Sequence, residues 1–533
     1  MFISYQFILF LLIVFILYYM IPKRGQWILL LAANFAFYAY ADFRYPLFLI
    51  VTATTVYVAA RGLEHYNDQL LQYKRDIKKG IILKPTRDEK KLFRKSIQKK
   101  KKRIMLSCLF LNLAILAVVK YTNFALSNIN FFVEKMGGTT ISYMNLIVPL
   151  GISFYTFQAV GYLLDVYWEK SPAQNNYFRF MLFVSFFPQL IQGPISRYKD
   201  LSKTLYEEHR FNWCQIRFGL ERILWGYFKK LVLADRISVA VAALAEDPEY
   251  YSGGFVFVGM LFYAVQLYAD FTGGIDITIG IAQVFGIHVE ENFIRPFFSK
   301  NIAEYWRRWH ISMGTWFRDY VFYTCSISKP IKNLTTFSKR HFGMAVARRI
   351  AVYISTILVW LATGIWHGAE WRFVIWGLAN GVIILCSEEC APLYQKFHTY
   401  FPKLGNKVIY RAFQVIRTFL LMSCLRLFDT YGSVRGAFCQ FIHMFTDLSD
   451  HLVTRQELLD LGLTGMDYII LGIGVTAMLL VSLAGRTGSV RKKLVKKPYV
   501  LRYLIFVSLF FCVLLFGTYG PGYDVQQFIY NQY

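Results

Sequence analysis

Tyr305-Trp306-Arg307-Arg308-Trp309-His310-Ile311-Ser312-Met313-Gly314-Thr315-Trp316-Phe317-Arg318-Asp319-Tyr320 lies in an apolar chain, between two strongly hydrophobic halves. Its sixteen residues hold three Trp, three Arg, one His and one Asp. Charged and ring-nitrogen groups at membrane depth cost several kcal/mol each unless they are paired or face water. Such a density marks a candidate functional site. Read as one helix, the stretch puts Trp306, Trp309, His310, Met313, Trp316, Phe317 and Tyr320 on one face. The plainer reading is an interfacial aromatic belt with its Arg side chains snorkelling to headgroups.

The surrounding composition sets the class. The chain has 533 residues, 56% hydrophobic and only 17% charged, against about 25% charged in soluble domains. Several apolar runs are long enough to span a hydrocarbon core roughly 30 Å thick. Their continuity and lack of strict alternation exclude a β-barrel. The expectation is an all-α polytopic membrane protein. A formal charge of +26 on a soluble chain would suggest nucleic acid. Here the bases collect in short segments between apolar runs, the positive-inside pattern, so no nucleic-acid partner is expected. The eight Cys are scattered without a CxxC pair, which signals neither a disulfide framework nor a metal site. Phe2–Ile21 lacks a basic n-region and a small-residue cleavage site and reads as a first membrane span.

Apolar runs predict spans near 2–21, 27–41, 45–60, 104–119, 144–166, 178–195, 216–233 and 254–270. Further runs lie near 350–366, 371–386, 412–428, 468–484 and 500–517. Residues 61–103 hold sixteen Lys/Arg against five Asp/Glu and read as a basic cytoplasmic loop held against anionic headgroups. Counting spans from there puts the N-terminus and the tail 518–533 outside. Asp270-Phe271-Thr272-Gly273-Gly274-Ile275-Asp276 reads as a broken or re-entrant segment, since two Asp and paired Gly in an apolar run suggest irregular backbone lining a cavity. Residues 1–517 form one expected membrane domain.

Two of nine His stand out. His310 lies in the opening stretch, and His367 in Gly364-Ile365-Trp366-His367-Gly368-Ala369-Glu370-Trp371, at the tip of the 350–386 hairpin. Each is framed by Trp near a span end. A lone His in an apolar setting is usually structural, but a pair so framed is a better candidate for proton transfer near neutrality. The chain has no GxSxG, P-loop, HExxH or dinucleotide fingerprint. What remains fits a His-based acyl transfer in which the base activates an acceptor hydroxyl directly.

At these residues the sequence resembles the membrane-bound O-acyltransferase (MBOAT) family, and within it the bacterial branch of alginate and peptidoglycan O-acetyltransferase membrane subunits. The resemblance is carried by Trp306-Arg307-Arg308-Trp309-His310 with Trp316-Phe317-Arg318-Asp319-Tyr320, and by Trp366-His367-Gly368-Ala369. Pro149–Gln158, Phe187–Pro194, Asp270–Gly273 and Glu291-Asn292-Phe293-Ile294-Arg295-Pro296 add to it. It implies about 11–13 transmembrane helices plus re-entrant segments around a central tunnel, in a bacterial inner or plasma membrane. It implies His367 as catalytic base and His310 as the second histidine, with Asn292 and Asp319 shaping the tunnel or orienting groups. Trp306, Trp309, Arg307, Arg308 and Trp366 would line it, with Arg307 and Arg308 meeting an anionic donor.

The resemblance further implies no permanently bound cofactor. Its donor substrate would be acetyl-CoA or another acyl thioester, and its acceptor an extracytoplasmic polysaccharide or peptidoglycan. An extracytoplasmic SGNH-type acetyltransferase or esterase partner would complete the transfer, with membrane lipids around the chain. The tail Phe528–Tyr533 resembles a C-terminal motif of this branch, which makes Tyr530 a candidate to carry or position the acyl group. Two alternatives stay open. One is a teichoic-acid D-alanyl transferase, against which the fused tail argues. The other is a lipid-linked glycan transporter, which predicts inverted repeats that the sequence does not display.

Overall fold

The computed structural model describes residues 2–81, 85–404, 407–447, 453–519 and 528. Its described residues are α-helical, with 3-10 and π turns and no strand. They divide into two compact units, residues 1–212 with 285–289, and residues 213–284 with 290–533. Eight described helices are long and apolar enough to cross a membrane by length and composition, and one shorter apolar helix adds to them.

The first unit comprises α1 (Tyr5–Met20), α2 (Gln26–Ala41), α3 (Tyr45–Lys78), α4 (Arg87–Lys135), α5 (Ile152–Tyr167), α6 (Tyr177–Ser185), α7 (Phe187–Gln192) and α8 (Tyr198–Leu205). Its centre is α5, buried along almost its whole length. The sequence motifs at 149–158 and 187–194 meet here. Gly151 has a φ of +69°, and a Cβ on it would lie 2.1 Å from the Leu190 carbonyl oxygen, so only glycine fits. Gln158 Nε2 donates to the Phe183 carbonyl at 2.9 Å.

Two expectations in this unit are corrected. The run 178–195 is not one span: it breaks at Phe186 into α6 and α7, with a proline in the first turn of the second helix. Buried Asn34 holds the break, donating to Ser185 Oγ at 2.9 Å and accepting from the Phe187 amide at 3.0 Å. Nor is 61–103 a loop. α3 continues to Lys78, and α4 begins at Arg87 behind a Thr86–Glu89 capping box. Apolar residues recur among the charges: Leu63 and Ile97 are buried, and Tyr73 stacks on Phe93 at 4.2 Å. Lys101 is buried and donates to Glu169 at 2.7 Å.

The second unit starts with α9 (Trp213–Tyr227), which runs through a π-helical turn, Phe228–Ala234, into α10 (Asp235–Glu246), followed by α11 (Gly254–Val284). Then come α12 (Ile302–Arg308), α13 (Ile311–Trp316) with a π-helical continuation over Phe317–Phe322, and α14 (Tyr323–Ser326). The hairpin α15 (Lys329–His367) and α16 (Trp371–Glu389) follows, with α17 (Ala391–Tyr400), α18 (Val408–Leu425), α19 (Leu427–Thr430) and α20 (Val434–Thr446). The unit closes with α21 (Arg455–Asp460), α22 (Gly465–Ala484), α23 (Val490–Val495) and α24 (Tyr499–Phe516).

The expected break at Asp270–Asp276 is absent, because α11 is continuous through it. Its glycines serve close helix packing. A Cβ on Gly226 would lie 2.7 Å from the Gly273 carbonyl oxygen, and one on Gly219 would lie 2.7 Å from that of Gly280. Its acids serve ion pairs with the π turn, where Lys229 and Lys230 are both buried. Lys230 Nζ lies 2.6 Å from Asp270 and 2.7 Å from Asp235. Lys229 Nζ lies 2.6 Å from Asp276, which also takes Arg222 at 2.8 Å, and Arg222 reaches Glu291 at 2.6 Å. The π turn thus sets both Lys229 and Lys230 against acids of α11, and buried charges require such pairing.

Candidate functional site

The stretch Tyr305–Tyr320 is not one helix. α12 ends at Arg308, Trp309 is extended, and His310 takes the left-handed conformation (φ 46°, ψ 55°) before α13 begins. For a non-glycine residue that geometry costs about 1–2 kcal/mol, so its surroundings must impose it. The loop after α11 does so. The Ile294 amide donates to the Arg308 carbonyl at 2.9 Å, and the Ile311 amide to the Asn292 carbonyl at 3.0 Å. The fully buried Asn292 side chain then clamps the turn, its Oδ1 accepting the Ser312 amide at 2.9 Å.

This clamp also orients the His310 ring. Nδ1 of His310 lies 3.1 Å from Nδ2 of Asn292 and 3.3 Å from Oδ1. The nearer of the two contacts is to Nδ2, which is the group we assign to donate. That makes Nδ1 the acceptor and assigns the proton of a neutral ring to Nε2.

His367 is the last residue of α15, and Gly368 follows in extended backbone. The hairpin is drawn tight by glycines. A Cβ on Gly364 would lie 2.4 Å from the Phe373 carbonyl oxygen, and one on Gly368 would lie 2.2 Å from the Phe373 ring. Both imidazoles are buried, and both pack on one indole. The Trp366 ring lies 5.9 Å from that of His310 and 5.1 Å from that of His367. Phe271 closes on His310 edge-on at 4.9 Å, and Trp376 on His367 at 4.7 Å. The two histidines picked from sequence therefore share an aromatic box, which excludes water from around them.

Of the other sequence candidates, Trp306 and Trp309 pack against residues of this box. Trp306 donates from Nε1 to buried Asn380 at 3.2 Å and packs on Trp360 and Trp376. Trp309 is fully buried, stacked on Tyr305 at 5.6 Å. Arg308 pairs with Glu304 at 2.5 Å, and Arg307 is exposed. Asp319 pairs with its neighbour Arg318 at 2.9 Å. Tyr530 lies outside the described residues. Phe528, close to it in sequence, is buried, and Lys230 Nζ sits 4.7 Å from its ring centre.

Sequence reading missed a buried cation at the box. The Arg426 guanidinium lies over the rings of Trp309 at 5.4 Å and Trp376 at 4.9 Å, and pairs with Asp429 at 2.8 Å. The signal was present: an Arg at the end of the apolar run 412–428, with an Asp three residues on. Chemically, the arrangement supplies a ring nitrogen able to accept a proton, a second imidazole held in one tautomer and a fixed positive charge nearby. Among the described residues no cluster of His, Cys, Asp or Glu is arranged to hold a metal.

Comparisons with known proteins give the chain's relatives. Residues 172–434 match the model of the membrane-bound O-acyltransferase family. A protein named "Probable alginate O-acetylase AlgI" from Azotobacter vinelandii is 33% identical over 371 residues, 68% of this chain and 64% of the relative. A peptidoglycan O-acetyltransferase of Helicobacter pylori is 31% identical over 322 residues, 56% of this chain and 57% of the relative. A teichoic acid D-alanyltransferase of Bacillus subtilis is 32% identical over 254 residues, 45% of this chain and 59% of the relative. The chain thus spans less than two thirds of the length of each of these relatives.

Proposed function

We propose that this chain, whose residues 172–434 belong to the membrane-bound O-acyltransferase family, is an O-acyltransferase working across a bacterial cell membrane. It takes an acyl group, acetyl in the form the alginate and peptidoglycan relatives favour, from a cytoplasmic thioester such as acetyl-CoA. It delivers that group toward hydroxyls of an extracytoplasmic polysaccharide or peptidoglycan, through an SGNH-type partner. The observation that carries this reading is the pair of buried imidazoles, His310 and His367, both packed against the Trp366 indole.

In this reading His367 accepts the proton of the attacking hydroxyl as its oxygen adds to the thioester carbonyl. The tetrahedral intermediate collapses, the C–S bond breaks, and the His367 imidazolium returns the proton to the departing thiolate. General base catalysis of this kind is worth about 10²–10⁴-fold. His310, held by Asn292, positions the reacting groups. Arg426, held between two indoles, contributes a fixed positive charge to the oxyanion's surroundings. Exclusion of water by the aromatic walls protects the thioester from hydrolysis. Tyr530 is the residue we assign to carry or position the acyl group beyond the membrane.

The experiment is donor turnover in reconstituted vesicles. Wild-type protein given acetyl-CoA on its cytoplasmic side, with the SGNH-type partner and a soluble glycan acceptor on the other, should release free thiol in proportion to ester formed. Thiol release only with an acyl carrier protein as donor would favour the D-alanyl-type alternative. No thiol release from either donor, with the glycan itself moving across the membrane, would favour the transporter.

A further inference from the structure

A cavity of about 740 Å³ opens beside the α9–α11 ion network and has no role in the chemistry above. Its size falls within the roughly 300–1,000 Å³ of small-molecule sites. One end is polar, with Arg222, Glu291, Ser489 and Arg491 in its lining; the other is apolar, formed by Ile473, Leu509 and Cys512. The apolar wall comes from α22 and α24, and no residue of α24 is buried.

We propose that this cavity is a binding site for one anionic phospholipid, whose phosphate meets Arg491 and whose acyl chain runs between α22 and α24. Three features of the second unit point to that occupant. The first is depth. Ile473 lies roughly 16 Å of helix from Ala484 at about 1.5 Å per residue, close to the half-thickness of a roughly 30 Å hydrocarbon core. The α22 part of the lining, Ile473 to Val481, thus lies within the depth of one leaflet.

The second is the charge state of the polar end. Each acid there already has a cation: Asp276 and Glu291 share Arg222 at 2.8 and 2.6 Å, and Glu221 pairs with Arg217 at 3.4 Å. Arg491 differs. Its guanidinium donates to the Phe218 carbonyl and to Gln283 Oε1, the latter at 3.1 Å, both neutral acceptors. Among the described residues lining this cavity, its guanidinium has no carboxylate within ion-pair distance, and its planar fork suits a phosphate. The third is its surroundings: residues 486–497 carry six Lys/Arg and no acid, a pattern that attracts anionic headgroups.

The position carries a consequence. A second cavity, of about 290 Å³, shares Glu291 and Trp225 with the first and reaches Phe293 and Arg295. Between Glu291 and Phe293 sits Asn292, the clamp on His310. A lipid on Arg491 thus props the loop that holds His310, and that consequence rests on the acyl-transfer reading; the binding itself does not.

The test is native mass spectrometry of the purified full chain titrated in detergent with phosphatidylglycerol or phosphatidylcholine. Wild type should retain phosphatidylglycerol preferentially. Arg491→Gln should weaken phosphatidylglycerol about tenfold and erase the preference, as loss of a charged hydrogen bond does, and Arg491→Lys should retain the preference. Leu509→Trp, which fills the apolar end, should weaken both lipids. Equal retention of both lipids by wild type, or retention unchanged in Arg491→Gln and Leu509→Trp, would overturn the proposal whatever the enzyme's activity.

Discussion

Replacing Asn292 separates positioning from folding at the candidate site. Its side chain is fully buried, with Oδ1 on the Ser312 amide at 2.9 Å and Nδ2 3.1 Å from His310 Nδ1. Asn292→Ala strips both groups of this partner. Each loss costs about 1–3 kcal/mol, and since the two share one residue they combine to roughly 2–5 kcal/mol. The left-handed turn at His310 then loses its brace. A ring displaced by about 1 Å should cost on the order of 10²-fold in rate. Asn292→Asp is the sharper variant. Its carboxylate still accepts the Ser312 amide, so the turn survives, but it cannot donate to Nδ1. The ring is driven to the opposite tautomer or to the imidazolium. Thiol release from acetyl-CoA, measured beside thermal unfolding in the same detergent, should show Asn292→Asp still folded, less stable than wild type by the cost of a buried carboxylate, and far below it in rate. Full activity in Asn292→Asp would refute the claim that the His310 tautomer matters.

Other outcomes follow from the same geometry. Gly226→Ala drives a Cβ to 2.7 Å from the Gly273 carbonyl and should destabilise the chain by about 1–3 kcal/mol. Gly472→Ala, inside α22 with nothing within 4 Å of its Cβ, should stabilise the chain by about 0.4–1 kcal/mol in the same thermal assay. Asp276→Asn leaves Lys229 without its carboxylate and should cost roughly 3–5 kcal/mol, read as lost yield of monodisperse protein. Arg426→Lys keeps the charge but loses the planar stacking on Trp309 and Trp376. It should lower kcat several-fold with KM for the donor little changed.

The parts of this protein written in local pattern were legible in its sequence, and those set by distant partners were not. Apolar runs located the helices because lipid demands them. His310 and His367 were found because an imidazole framed by Trp in an apolar run is unusual. The continuous helix expected for Tyr305–Tyr320 failed because Asn292, on another segment, pairs with its backbone and holds His310 left-handed. The break expected at Asp270–Asp276 failed similarly. Its acids are satisfied by Lys229, Lys230 and Arg222 from α9 and the following turn, so the helix runs through them unbroken. Charge density made 61–103 look like a loop, although Leu63, Tyr73, Phe93 and Ile97 already carried the apolar spacing of paired helices.

The central claim is acyl transfer with His367 as base, and the most direct measurement is ester-linked acetyl on the cell's surface glycans. Cells lacking the protein are complemented with wild type or His367→Ala at matched membrane levels, and acetate released by mild alkali from purified glycans is quantified. The account predicts that wild type restores the ester and that His367→Ala leaves it at the level of cells lacking the protein. Full restoration by His367→Ala would contradict it.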